Sequence, residues 1–287
     1  MICRLILPVL ALLAGCATFG QRSSSFETKV KELERQSGGR LGVYLLDTAT
    51  GKHFGHRAGE RFAMCSTFKL LAISAVLAKV DRGADHLGRV ISFTKNDLAE
   101  HSPITGQHAD GKGMSLQDLC EATMVQSDNT AANLILVSLG GPTGVTAFAR
   151  SIGDTHTRLD RNEPDLNEAL PGDPRDTTTP LAYATDVKNL VLGTLLSPGS
   201  RSLLTKWLIA NQTGDKRIRA GLPRGWRVGD KTGTGDRGTS NDIAIAWPPG
   251  RPPILIAVYL TGSRKDRNMQ DKTIAEVAKM VVSDLKL

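Results

Sequence analysis

Strand-like segments crowd both ends of this sequence and leave its middle helical, an arrangement that limits how the chain can fold more than any other feature. Phe26, Val30 and Leu33 recur at helical spacing and Gly38-Gly39 stops them, which predicts a short first helix. Residues 41–47 and 53–58 flank the turn Thr48-Ala49-Thr50-Gly51 and predict an edge hairpin. Three more strands are predicted over residues 226–235, 242–247 and 253–262, and a closing helix over 270–285. From Ser66 to about Ala210 the pattern is a series of capped helices, beginning with the most apolar, residues 66–80. Strands so distant in sequence bury their faces by meeting in one sheet. The predicted fold is therefore α/β of the α+β type. An antiparallel sheet flanked by the N- and C-terminal helices is built from residues 26–59 and 211–287, an all-helical domain of residues 60–210 is inserted into it, and the active site lies in the cleft between the two.

The 287 residues suffice for a substantial core, and 40% hydrophobic with 23% charged residues disfavours disordered, collagenous and multi-span membrane classes. The net charge of +7 is scattered, without a basic stripe or run, which argues against a nucleic-acid partner. Residues 1–15 carry one early charge, Arg4, and an apolar run of signal-peptide length that is too short to span a bilayer. The chain is expected to be exported to the periplasm, with residues 16–25 as a tether. Leu13-Ala14-Gly15-Cys16 resembles a bacterial lipobox, in which Cys16 becomes a diacylated first residue and the only membrane attachment; ordinary cleavage after small residues is the other reading. Cys65 and Cys120 then remain in a compartment where pairing is permitted, and the sequence does not say whether they meet.

Ser-x-x-Lys is a weak pattern that occurs three times here. Ser92-Phe93-Thr94-Lys95 reads as a turn or cap, and Ser283-Asp284-Leu285-Lys286 as exposed helix. Ser66-Thr67-Phe68-Lys69 differs, because it opens the most apolar helix and sets a serine and a lysine one turn apart beside buried surface. A serine hydroxyl needs a base within hydrogen-bond reach, and a buried lysine gives up its proton more readily than a solvated one. A plain helix cap at Ser66 and a solvated, inert Lys69 are the blander readings. Two further strings, Ser127-Asp128-Asn129 and Lys231-Thr232-Gly233, each occur once and follow in order, although Ser127 and Asp128 could simply cap the next helix.

Together these strings resemble the motif set of the penicillin-recognising serine enzymes, and the segment Arg161-Asn162-Glu163-Pro164-Asp165-Leu166-Asn167-Glu168-Ala169 resembles the omega loop, residues 161–176, of the class A serine β-lactamases. The resemblance covers the chain from about Phe26 onward. It implies hydrolysis of the β-lactam amide of penicillins and cephalosporins, and hence antibiotic resistance, by a monomer without metal or other cofactor. Ser66 would attack the lactam carbonyl, with the backbone N–H groups of Ser66 and Thr234 as oxyanion hole. Either Lys69, or Glu163 through a water, would take its proton. Ser127 would relay a proton to the ring nitrogen, with Lys231 beside it, and Glu163 with Asn167 would activate the water that frees the acyl-enzyme. Asn129 would bind the acylamino side chain, while Lys231, Thr232, Gly233 and Thr234 would receive the substrate carboxylate. Arg161 and Asp176 would close the loop by a salt bridge around a cis Glu163-Pro164 bond.

Several positions depart from the common pattern. Where many members carry a strand arginine this chain has Ser240, and Arg217 is expected to supply the charge instead. Cys65 resembles that of carbapenem-hydrolysing members, but their partner cysteine is Gly235 here, so that disulfide cannot form. His101 falls on the cleft wall, where its imidazole either stacks on substrate or is an ordinary loop side chain. The six histidines form no metal set, His53 and His56 pointing to opposite faces of their strand. The rival readings are a D-Ala-D-Ala peptidase, which lacks the Glu163 loop, and a non-turnover β-lactam sensor, usually tethered to a membrane helix.

Overall fold

A computed structural model describes residues 20–285. The expected signal segment 1–15, Cys16 and the first residues of the expected tether lie outside the described residues. The chain runs α1 (Gly20–Ser37), β1 (Arg40–Asp47), β2 (His53–His56), β3 (Phe62–Ala63), a 3-10 turn (Cys65–Phe68), α2 (Lys69–Asp81), β4 (Val90–Ile91) and β5 (Met114–Ser115). It continues through α3 (Leu116–Val125), α4 (Asn129–Ser138), α5 (Pro142–Ser151), β6 (Thr177–Thr178), α6 (Pro180–Leu192), α7 (Pro198–Ile209) and α8 (Ile218–Gly221). Strands β7 (Arg227–Gly235), β8 (Thr239–Trp247), β9 (Ile254–Thr261) and helix α9 (Arg267–Leu285) complete it.

The two ends of the chain meet in one antiparallel sheet of order β2-β1-β9-β8-β7, with β1 against β9 from Arg40↔Thr261 to Asp47↔Ile254. Both faces of the sheet are covered, so β9 is apolar at consecutive positions rather than alternate ones. Ile254, Ile256, Val258 and Leu260 join Phe26 and Val30 of α1 and Ile274, Val277 and Val281 of α9. Leu255, Ala257 and Tyr259 face the helical middle. Helix α2 runs through that middle with Lys69 to Ala78 all buried, which is why its sequence is apolar around the helix rather than along one stripe. Removing one of its leucines would cost about 2–5 kcal/mol.

The helices start where their caps direct. Ser115, Asp128, Thr179 and Ser197 each accept the backbone N–H three residues on, which satisfies a donor the helix leaves free. Four boundaries differ from expectation. Helix α1 begins at Gly20, so residues 20–25 of the expected tether are helical; they lack the apolar period that marks the packed part of that helix. The helix expected from Ser66 is a 3-10 turn followed by α2 from Lys69, because Thr67 bonds back to the Met64 carbonyl through both N and Oγ1. Strand β8 starts at Thr239, not Asp242, since Thr239, Ser240 and Asn241 are buried polar residues held by tertiary hydrogen bonds. Helix α9 starts at Arg267, three residues before Gln270, where Asp266 Oδ1 accepts the N–H of Met269.

Candidate active site

The 3-10 turn carries Ser66 to the seam between the helical middle and strand β7. Cys65 before it takes a left-handed backbone, φ 47°, as do Ser127 at 57° and His101 at 60°, conformations that cost a non-glycine residue energy and are held by their surroundings. Gly233 lets β7 approach this turn, since a Cβ there would stand 2.5 Å from the Met64 carbonyl. Gly235 does the same against Cys65 Sγ, 2.6 Å from a would-be Cβ. Cys65 and Cys120 are both free and buried, so the pairing left open by the sequence is not made.

Ser66 Oγ donates to Glu163 Oε1 at 2.9 Å, and Lys69 Nζ lies 3.0 Å from the same oxygen. Lys69 also donates to the Ser127 carbonyl at 2.7 Å and to Asn129 Oδ1 at 2.6 Å, with Ser127 Oγ at 3.2 Å. Lys231 Nζ donates to Ser127 Oγ and to the Thr232 carbonyl, both at 3.0 Å. Asn167 Nδ2 donates to Glu163 Oε2, while Asn167 Oδ1 is buried without a hydrogen-bond partner among the described residues. Seven residues, Ser66, Lys69, Ser127, Asn129, Glu163, Asn167 and Lys231, drawn from six segments thus form one continuous chain of proton donors and acceptors. Lys69 and Lys231 have no exposed surface and Glu163 has 4%.

Burial pulls the Lys69 ammonium below an ordinary lysine, with the Glu163 charge opposing it. Burial also pushes Glu163 toward protonation, but the Lys69 charge and the hydrogen bonds from Lys69, Asn167 and Ser66 outweigh it, so its carboxyl lies below the usual range. Lys231 is pulled down to about 7, by burial first and then by the charge of Lys69. The carboxylate is kept ionised where a base is useful, and one lysine is poised to exchange a proton near neutrality.

The loop bearing Glu163 is pinned from two sides. Asp176, fully buried, accepts the N–H groups of Asp160 and Arg161 and the Arg161 Nε at 2.6 Å, and Glu163-Pro164 is cis. From α4, Asn133 donates to the Glu163 carbonyl and accepts its N–H, at 2.9 and 3.0 Å. Asn133 escaped the sequence reading, although its place one helical turn beyond Asn129 was a usable signal. Asp128 caps α4 as the plain reading had it, and also holds Ile104 and Thr105 N–H groups at the cleft wall. One residue therefore serves both readings.

Toward the sheet end, Thr232 and Thr234 lie on β7, and Thr213 Oγ1 shares a hydrogen bond with Thr232 Oγ1. Arg217 is 5% exposed and reaches Thr234 Oγ1 at 2.8 Å, with Asp271 at 2.7 Å and the Gly233 and Asn241 carbonyls as further partners. His101 is exposed at the cleft, its Nε2 3.1 Å from the Gln126 carbonyl. The cleft is a cavity of about 710 Å³ bordered by His101, Asn129, Asn167, Thr234 and Gly235. Of the expected residues, His101, Asn129, Asn167 and Thr234 border it, while Ser66, Lys69, Ser127, Glu163 and Lys231 are brought together by the hydrogen bonds above and Arg217 reaches the site through Thr234.

The profile described as the beta-lactamase enzyme family matches residues 25–285. The Escherichia coli β-lactamase CTX-M-97 is 47% identical over 276 residues, covering 96% of this chain and 94% of its own. The Nocardia asteroides β-lactamase AST-1 is 48% identical over 263 residues, covering 92% and 84%. Among solved structures, the ancestral (GNCA) class A β-lactamase superimposes with a TM-score of 0.88 at 60% identity, covering 90% of this chain and 99% of that one.

Proposed function

This chain belongs to the class A β-lactamases and hydrolyses β-lactams, conferring resistance, and from that premise we propose how its own residues divide the work. Ser66 is the nucleophile and Glu163 the base that takes its proton. The observation that carries this is the 2.9 Å hydrogen bond from Ser66 Oγ to Glu163 Oε1, read with the partners of Lys69. The Ser127 carbonyl, Asn129 Oδ1 and the Glu163 carboxylate only accept, so together they use all three protons of an ammonium and leave Lys69 no lone pair. Lys69 then stabilises the ionised base, and the choice between the two bases falls to Glu163.

Ring opening needs a proton at the lactam nitrogen, which Ser127 Oγ supplies and recovers from Lys231, a group whose proton is exchangeable near pH 7. The proton that Glu163 took from Ser66 passes by way of Lys69 and Ser127 Oγ to Lys231, which leaves Glu163 ionised again; in deacylation its Oε2 and the unpartnered Asn167 Oδ1 hold the attacking water, Glu163 deprotonates it, and that proton returns to Ser66 Oγ as the acyl group leaves. Asn129 takes the acylamino group. Lys231, Thr232, Gly233 and Thr234 take the ring carboxylate with Arg217 behind Thr234, and His101 borders the acyl side chain. We read residues 26–59 with 211–287 and residues 60–210 as the two domains that bound the cleft, and the active protein as a monomer. It is exported by residues 1–15 and held to a periplasmic membrane face through Cys16, so Cys16→Ser should release activity into the soluble periplasmic fraction.

The test is intact mass followed in time after mixing with a penicillin, beside absorbance of the remaining lactam. Rapid lactam loss with return to the unmodified mass is expected. A persistent adduct on Ser66 in the unaltered enzyme would overturn the role of Glu163.

A further inference from the structure

The sheet end of the cleft holds a second guanidinium that the roles above leave unused. Arg267, the first residue of α9, is exposed and borders the cleft beside Thr234 and Gly235. Its Nη1 donates to the Thr239 carbonyl at 2.9 Å and to Ser240 Oγ at 2.5 Å. Ser240 can accept because its own proton goes to Gln270 Oε1 at 2.8 Å. Thr239 and Ser240 lie directly across the β7–β8 ladder from Gly235 and Thr234. The guanidinium is thus anchored on the strand position where many relatives are expected to carry an arginine, but it is delivered from a helix.

The hydrogen bonds to Thr239 and Ser240 require a donor here but not a positive charge. The first turn of α9 contains no acidic residue, and a positive side chain there opposes the helix dipole. Among the described residues no carboxylate lies within ion-pair distance of Arg267, because Asp271, on the next turn, is taken by Arg217 at 2.7 Å. Burial and then the charge of Arg217 pull the Arg267 guanidinium below its ordinary value. Two cations converge at this helix N-terminus, where Asp271 is committed to Arg217 and the Asp266 carboxylate caps the Met269 N–H, so an anionic ligand would give Arg267 a partner it lacks.

We propose that Arg267 is a specificity-determining residue that contacts the carboxylate of the β-lactam, sharing it with Thr234 while Arg217 acts from behind. This rests on the reading of the site given above and adds a contact to it. A charge contact at a solvent-exposed cleft mouth is modest. Arg267→Ala should raise KM for a penicillin about five-fold and leave kcat within about two-fold. Arg267→Lys should recover part of the loss. Arg267→Gln keeps a donor for Thr239 and Ser240 without the charge and should behave as the alanine variant, which separates recognition from support of β8. The effect should shrink in high salt and vanish for the methyl ester of the same penicillin.

Binding in a Ser66→Ala background, measured by calorimetry, should weaken by the same factor for the free acid. An unchanged KM, or an equal shift for acid and ester, would overturn the proposal. Continued hydrolysis by Ser66→Ala would overturn the catalytic reading instead, while the comparison of acid with ester would still report on Arg267.

Discussion

Two carboxyl groups are buried to nearly the same depth in the helical half of this protein, Glu163 at 4% and Asp186 at 2% exposure, and their surroundings solve the same problem in opposite ways. Glu163 has an ammonium 3.0 Å away and side-chain donors on both oxygens. Asp186, on α6, has a second acid, Asp154, whose Oδ1 already accepts the N–H groups of His156 and Thr157. Oδ2 of each aspartate is buried without a hydrogen-bond donor among the described residues, and the Asp154 charge lies close enough to push the Asp186 carboxyl up. At an effective dielectric of about 20, two unit charges 4 Å apart interact by about 4 kcal/mol. That energy attracts in the first cluster and would repel in the second. Glu163 therefore stays ionised, while Asp186 is pushed up to about 9, by burial first and then by the Asp154 charge, and keeps its proton. Burial alone does not make a base; the sign of the neighbouring charge decides whether a buried carboxyl can serve as one.

Removing the ionised carboxyl should have the largest effect. Glu163→Gln keeps the shape and abolishes the base for both steps, so penicillin turnover should fall about 10²–10⁴-fold, and the Ser66 adduct should form more slowly than in the unaltered enzyme and then persist in the mass spectrum. Turnover near that of the unaltered enzyme would mean that the two carboxyls differ in charge but not in role. Next comes an attempt to turn the first cluster into the second. Lys69→Met leaves Glu163 buried without its cation and should cost about 3 kcal/mol of stability at pH 7, read by urea denaturation. The deficit should narrow toward pH 4 as Glu163 takes up a proton and comes to resemble Asp186. A pH-independent deficit would point to lost packing rather than lost charge.

The two clusters were not equally legible in the sequence. Ser66, Lys69, Ser127, Asn129 and Lys231 sit in short strings whose spacing is fixed by one helical turn, one helix cap and one strand, so local chemistry announces them. Strands β1 and β9 were legible for the same reason, because they carry continuous or alternating apolar runs bounded by turn residues. Asp154 and Asp186 meet only through the packing of α6 on the loop after α5, 32 positions apart, and neither has a local pattern that requires the other. Arg267 is of the same kind. Its partners Thr239 and Ser240 look like turn residues until the guanidinium and Gln270 satisfy them inside β8. Polar residues whose partners come from another element defeat periodicity, and both the unexpected start of β8 and the additional cleft cation follow from that.

The third effect is smaller and has the opposite sign. Between the unfolded value of 3.8 and the folded value of about 9, folded Asp186 holds a proton that the unfolded chain has released, so it makes stability fall as pH rises through that window. Asp154 runs the other way, its carboxyl held low by the hydrogen bonds from Thr157 and His156 against burial, and it settles above pH 4. Asp186→Asn supplies a permanent donor to Asp154 and removes the titration. It should stabilise the protein by about 1–3 kcal/mol at pH 8, with the difference from the unaltered chain narrowing toward pH 4. A stabilisation that did not vary with pH would show that the Asp154 charge does not hold the proton on Asp186.

An exposed pair sets the floor of the comparison. Lys279 Nζ lies 2.6 Å from Glu276 Oε1 on α9, closer than Lys69 lies to Glu163, but these side chains are 55% and 34% exposed. Water screens both charges, and holding two flexible side chains in one geometry costs entropy that offsets much of the attraction. Lys279→Ala should therefore change stability by no more than about 0.5 kcal/mol, and less in high salt. Were its loss to match that of Lys69→Met, separation rather than desolvation would rank the charge pairs, and the contrast between Glu163 and Asp186 would lose its physical basis.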